Sequence, residues 1–349
     1  RANLEGADLR DVDLSGAQLS EATLRGASIA GASWQDAQLD GADFTGVKLS
    51  GQSLAGAALQ RMSFAGMDLS GCDLSGCDLS EAVFDGATLD DADLSEADLA
   101  GASFRGAHFA HTDLGGASLR GAILTGANLG TTNLSGADLY GADLRQVHIE
   151  KADLSGADLS SIKLDGARIV QCMLEDSKAA GVSFAGCDLS NSSFDGADLR
   201  GAILTGVKAE QICFDGADLS GAKLQRIGAK RANLEATKLD DADLREADFE
   251  DAIFDGASLR QVQGSGANFQ AARFERADLT GAQMAGANMK FVDLSGALLD
   301  QADLSNCDLE LSDLHRVSKS GTKLSGAKTT GAGKTEKKRA AAEDFVAGK

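Results

Sequence analysis

The chain has 349 residues and a formal net charge of −20, which excludes the usual basic nucleic-acid binder. With 42 Gly, no Pro, one Trp and one Tyr, an ordinary mixed core is excluded too, because much of the 43% hydrophobic fraction is Ala and Leu. No apolar run of about 18 residues and no signal-peptide segment is visible, so neither a membrane span nor a secretory leader is expected.

The chain begins at Arg1, already inside a repeat. Residues whose numbers end in 4 or 9 are apolar: Leu4, Leu9, Leu14, Leu19, Leu24, Ile29, Trp34, Leu39, Phe44. This register holds to Leu324 without insertion or deletion, roughly 65 consecutive five-residue units. Each unit has an apolar centre, a small position two residues before it and an acid position, mostly Asp or Asn, one before it. Two corner residues follow the centre, the second often Gly. A period of five is neither the 3.6 of a helix nor the 2 of a strand.

The stretches ADLSG at 152–156 and ADLSS at 157–161 resemble the pentapeptide-repeat family, A(D/N)LxG. The resemblance implies an all-β fold, a right-handed quadrilateral β-helix in which each unit forms one side of a square coil. The physics agrees. A small residue beside each large one leaves room inside, Gly permits the corners, and the absence of Pro keeps backbone N–H groups able to pair between coils. Four units close a coil, so residues twenty apart stack about 4.8 Å from each other, giving about 16 coils over roughly 75 Å.

Along this ladder the expected interior columns are Phe44, Phe64, Phe84, Phe104 and then Phe194, Phe214, Leu234, Phe254, Phe274. The centre is small at Ala179, Ala209, Ala229 and Gly264, where either a local repack or a bulged wall is expected. Lys319 at a centre marks the expected end of the coil. Residues 1–327 are expected to form the β-helix and 328–349 a basic tail, with a short helix over 335–347 or no fixed structure. From Arg316 onward there are nine basic and three acidic residues. The N-terminal edge, where Leu4 and Leu9 appear at once, is expected to be covered by an upstream domain or a second copy, in a longer bacterial protein of the cytoplasm.

The same register places the reactive side chains. Cys72, Cys77, Cys172, Cys187 and Cys307 occupy small positions and read as buried hydrophobes, whereas Cys213 points outward and is the thiol expected to react. His108, His111, His148 and His315 are outward by register and offer no shared metal site. GAGKT at 331–335 lacks the first Gly of a phosphate loop, since residue 328 is Lys. No catalytic, cofactor or metal site is expected, and no enzyme activity.

The acids form columns. The first corner residue reads Glu175, Asp195, Asp215, Glu235, Asp255, Glu275 over six coils, and other columns include Asp73, Asp93, Asp113 and Asp198, Asp218. Either the acids merely keep the repeat soluble, or the six-rung ladder docks a protein with a basic surface. The leading expectation is a non-enzymatic interaction rod, a scaffold, spacer or adaptor. Family resemblance adds a link to secretion systems and, as an alternative, mimicry of duplex DNA toward a type II topoisomerase such as gyrase, with no direct binding of nucleic acid by the chain.

Overall fold

The computed structural model describes residues 1–334, so the helix expected over 335–347 lies outside the described residues. The chain divides into two compact units, Arg1–Lys178 and Ala179–Lys349. Each is a β-helix of twenty-residue coils. Residues at the acid position pair in parallel with those twenty further on, as in Asp73↔Asp93↔Asp113 in the first unit and Cys213↔Asn233↔Ile253 in the second.

Why five residues close one side follows from where the backbone donors of a regular side find acceptors. In the unit Ala92–Glu96, the Ala92 N–H bonds the Leu89 carbonyl across the corner (3.0 Å). The Asp93 N–H reaches one coil back to Cys72 (2.8 Å), while the Leu94 and Glu96 N–H groups reach one coil on to Asp113 (2.7 Å) and Gly115 (2.9 Å). Only the Ser95 N–H lacks a carbonyl, and the Asp93 carboxylate accepts it at 2.9 Å. The consensus Asp or Asn is therefore a backbone acceptor built into every regular side.

Among the described residues the second corner residue turns left-handed at every corner but one. Where Gly is missing the conformation is imposed anyway, from Asp11 (φ 59°) to Arg316 (φ 56°); each such residue costs roughly 1 kcal/mol. The corner after Leu129 differs: Gly130 carries the positive φ of 29° and the β-branched Thr131 is spared. There the side lengthens into true strands, β1 (Asn128–Gly130), β2 (His148–Glu150) and β3 (Arg168–Val170), paired in parallel in the order β1-β2-β3 with a register shift between Asn128 and Gly130.

Centres and small positions together fill the interior. Phe64, Phe84 and Phe104 are fully buried and stack at 5.0 and 4.8 Å, and Phe44, also buried, tilts against Trp34 at 6.3 Å. In the second unit Phe194 and Phe214 lie 5.7 Å apart, and Phe254 stacks on Phe274 at 4.5 Å. A neighbouring wall adds a second column, Phe249 on Phe269 at 5.8 Å, which meets Phe254 edge-on at 5.2 Å.

The small centres leave no break in the wall. Ala179, Ala209, Ala229 and Gly264 keep their N–H bonds to the next coil, each at 2.8 Å. Volume is exchanged within the unit: Val207 precedes Ala209, Ile227 precedes Ala229 and Val262 precedes Gly264, all at the small position and all buried. Above Gly264 the Met284 sulfur occupies the space a Cβ would take. The cysteines at small positions do more than fill space, because Cys72, Cys77 and Cys307 donate to the carbonyls of Leu49, Leu54 and Met284 at 2.8, 3.0 and 3.0 Å, as Thr112 does to Leu89.

The coil runs on past both Lys319 and residue 327, where it was expected to stop. Asp303↔Lys323, Asp308↔Lys328 and Asp313↔Gly333 still pair, because the backbone ladder does not require a filled interior. What ends is the core: Leu309 is fully buried, Leu314 half-buried and Leu324 40% exposed. Lys319 sits at the rim of an open apolar mouth of about 530 Å³ lined by Leu299, Leu304, Leu309, Leu314 and Leu324. At the N-terminal end of the first unit, Leu4 and Leu14 are half-buried and Val12 is exposed.

Candidate acidic docking face

Most acids of this chain serve its own backbone. Acid-position aspartates accept the N–H two residues on, as Asp78 does from Ser80 (3.1 Å) and Asp218 from Ser220 (3.1 Å). On several sides where that position holds another residue, an acid at the corner one coil earlier replaces it. Asp85 accepts the Arg105 N–H beyond Ser103 (3.0 Å), Asp90 that of Ala110 beyond His108 (2.9 Å), and Asp240 that of Arg260 beyond Ser258 (3.0 Å). Others are neutralised by arginine: Arg10, Arg145, Arg200 and Arg245 each reach back to the aspartate two before them at 2.6 Å. These contacts hold the carboxyls of Asp143, Asp198 and Asp243 below the usual carboxylate range, the arginine hydrogen bond being the main cause.

Against this background the expected ladder separates into different residues. Its rungs stack in register within the second unit, where Gly196, Gly216, Ala236 and Gly256 donate to the carbonyls of Asp215, Glu235, Asp255 and Glu275 at 2.8–2.9 Å. Glu175 belongs to the first unit and accepts a hydrogen bond from the Ser155 hydroxyl (2.9 Å). Asp255 has the replacement role, accepting the Glu275 N–H (3.0 Å) beyond Arg273, with which it is also ion-paired. Glu275 lies 3.4 Å from Arg276. Asp195 is half-buried beside Cys213, and one of its carboxylate oxygens is covered without a hydrogen-bond partner.

Asp215 and Glu235 remain. They are exposed, lie on successive rungs, and their side chains make neither an ion pair nor a hydrogen bond among the described residues. Within this column Asp215 and Glu235 are thus the two unengaged, exposed carboxylates, with Asp195 one coil earlier. Register alone shows the column and not which members are already occupied by backbone donors.

Cys213, expected to be reactive, is only half-buried, but burial and the Asp195 carboxylate push its thiol up to about 11, so little thiolate forms near neutral pH. His315, expected outward, is buried, while His111 bonds the Thr131 hydroxyl (2.7 Å) and His148 lies 3.5 Å from Glu150. Among the described residues, no group of three or more His, Cys, Asp or Glu is placed to hold a metal ion, and no helix is long and apolar enough to cross a membrane.

One surface feature was missed. Phe291 (φ 60°) and Leu311 (φ 58°) are second corner residues of successive coils, both 53% exposed. Elsewhere that left-handed corner holds Gly, Ala or a polar residue. The signal was available, since register already marks the position as outward and bulky side chains there are strained.

Solved structures similar to the chain include HetL, a pentapeptide repeat protein involved in heterocyst differentiation regulation from the cyanobacterium Nostoc sp. (25% identity over 82% of this chain and 91% of that one, TM-score 0.27). QnrB1, a plasmid-mediated fluoroquinolone resistance protein, is similar at 17% identity over 56% of this chain and 96% of that one, TM-score 0.31. A pentapeptide repeat protein of the Arabidopsis thaliana thylakoid lumen shares 30% identity over 41% of this chain and 68% of its own, TM-score 0.10. No curated protein matches. The family model for pentapeptide repeats matches overlapping segments from 1–26 through 183–221, then 230–262, 265–301 and 293–328, so the chain belongs to the pentapeptide-repeat family.

Proposed function

We propose that this chain is a non-enzymatic interaction scaffold of the bacterial cytoplasm whose second unit docks a partner protein with a basic surface at Asp195, Asp215 and Glu235. The observation that carries this reading is the pair Asp215 and Glu235. In a fold that uses its acids as backbone acceptors or arginine partners, two stacked carboxylates do neither. At coil spacing two such charges repel by roughly 0.8 kcal/mol in water, which an Asn or Ser would avoid. A cationic partner removes that repulsion and is steered by it.

The test is affinity capture on the full chain at low salt, comparing the native protein with Asp215→Asn/Glu235→Gln. A basic protein retained by the first, released by salt and lost from the second supports the reading; equal retention by both sinks it. A second reading, DNA mimicry toward a type II topoisomerase, draws on the same stacked charges. It requires salt-sensitive inhibition of gyrase supercoiling that weakens in the double variant.

A further inference from the structure

Within the first unit, residues 31–50 and 51–70 are ladder-paired on one wall only, and at the last corner the Ser50 hydroxyl reaches the Ser70 carbonyl at 3.0 Å. Gln38 pairs with Ala58, and the Ala58 and Leu39 N–H groups complete that wall at 2.9 Å. Ser33 and Ser53, Asp43 and Ser63, and Lys48 and Asp68 stand at the same register and do not pair. The next junction, between 51–70 and 71–90, carries all four pairs: Ser53↔Asp73, Ala58↔Asp78, Ser63↔Val83 and Asp68↔Thr88. At the open junction the Phe44, Leu49, Ser63 and Asp68 N–H groups make no backbone bond, and a cleft of about 510 Å³ separates Gly41–Gly46 from Arg61, Met62, Ser63 and Met67.

The small positions explain which wall holds. In residues 51–70 they are Gln52, Ala57, Met62 and Met67, and the one paired wall is that of Ala57. A bulky residue at this position can be offset by a small centre, as Ile227 is by Ala229. Here the centres Leu54, Leu59, Phe64 and Leu69 are all large and lie above Trp34 and Phe44. The interior is overfilled, and overpacking is relieved by moving backbone.

We propose that this junction is a hinge: residues 1–50 swing about the wall Ala37–Leu39 and Ala57–Leu59, opening and closing the cleft on the other walls. The Asp40–Arg61 ion pair at 3.1 Å lies beside that wall and spans the junction at the pivot. Covalent continuity at Ser50–Gly51 keeps the two leaves together. The motion is local to the first unit and leaves the Phe64–Phe84–Phe104 stack intact on the far leaf.

Amide hydrogen exchange on the full chain tests this. Amides of 43–49 and 63–68 are expected to exchange roughly 100-fold or more faster than those of 83–89 and 103–109, and Met62→Ala/Met67→Ala is expected to slow them. Equal protection in the native protein, or no slowing in the variant, overturns the proposal. Spin labels at Lys48→Cys and Asp68→Cys separate a hinge from a fixed gap. A broad distance distribution that narrows when Met62 and Met67 become Ala supports swinging, and a single narrow distribution in the parent overturns it.

Discussion

Two aspartates of this chain can carry the same charge and have opposite value to the fold. Asp93 accepts both the Ser95 N–H (2.9 Å) and the Ser95 hydroxyl (2.6 Å), whereas Asp215 accepts neither a backbone nor a side-chain donor. Asp93→Ala leaves a corner N–H without its acceptor and is expected to cost about 1–2 kcal/mol in urea unfolding, while Asp215→Ala stays within about 0.5. Equal losses would show that the carboxylates act only through net charge. The acid position was legible in the sequence as a consensus, but its role was not, because the donor it satisfies is an N–H that no side-chain pattern reports. Substitution by Asp85, Asp90 and Asp240 from one coil away was hidden for the same reason.

At the scale of a single side, volume is conserved across a unit rather than at a position. Ile227→Ala empties space that Ala229 cannot refill and is expected to cost about 2–4 kcal/mol; Ile227→Ala with Ala229→Leu is expected to recover more than half, as read from thermal melting. A double variant no better than the single would mean the two positions face separate cavities. The Phe columns could be read from numbering alone, since corners fixed in the left-handed region hold every side in register. Exchange at Val207, Ile227 and Val262 was equally visible but required reading the small position and the centre as one quantity. The cleft above Phe44 was not visible unit by unit, because it arises from the summed bulk of Gln52, Met62 and Met67 in one coil.

For the molecule as a whole, the acceptors are carboxylates and must stay ionised. The Arg10 hydrogen bond lowers Asp8 from 3.8 to about 2, and bonds from Thr45, then Arg25, lower Asp43 likewise. A depressed folded value means stability that is present above pH 3.8 and lost as the pH falls toward 2. The melting temperature is therefore expected to hold from pH 7 to about 5 and to fall between about 4 and 2, followed by circular dichroism; an unchanged value at pH 2.5 would contradict the acceptor role. The coil of twenty residues also governs how such a gene can change length. Losing one pentapeptide leaves the local spelling intact but hands every later phenylalanine to a neighbouring wall and scrambles which corner acid backs which donor. Losing twenty residues returns each column to itself, so whole coils are the increments by which this chain can be cut or copied without a change of register.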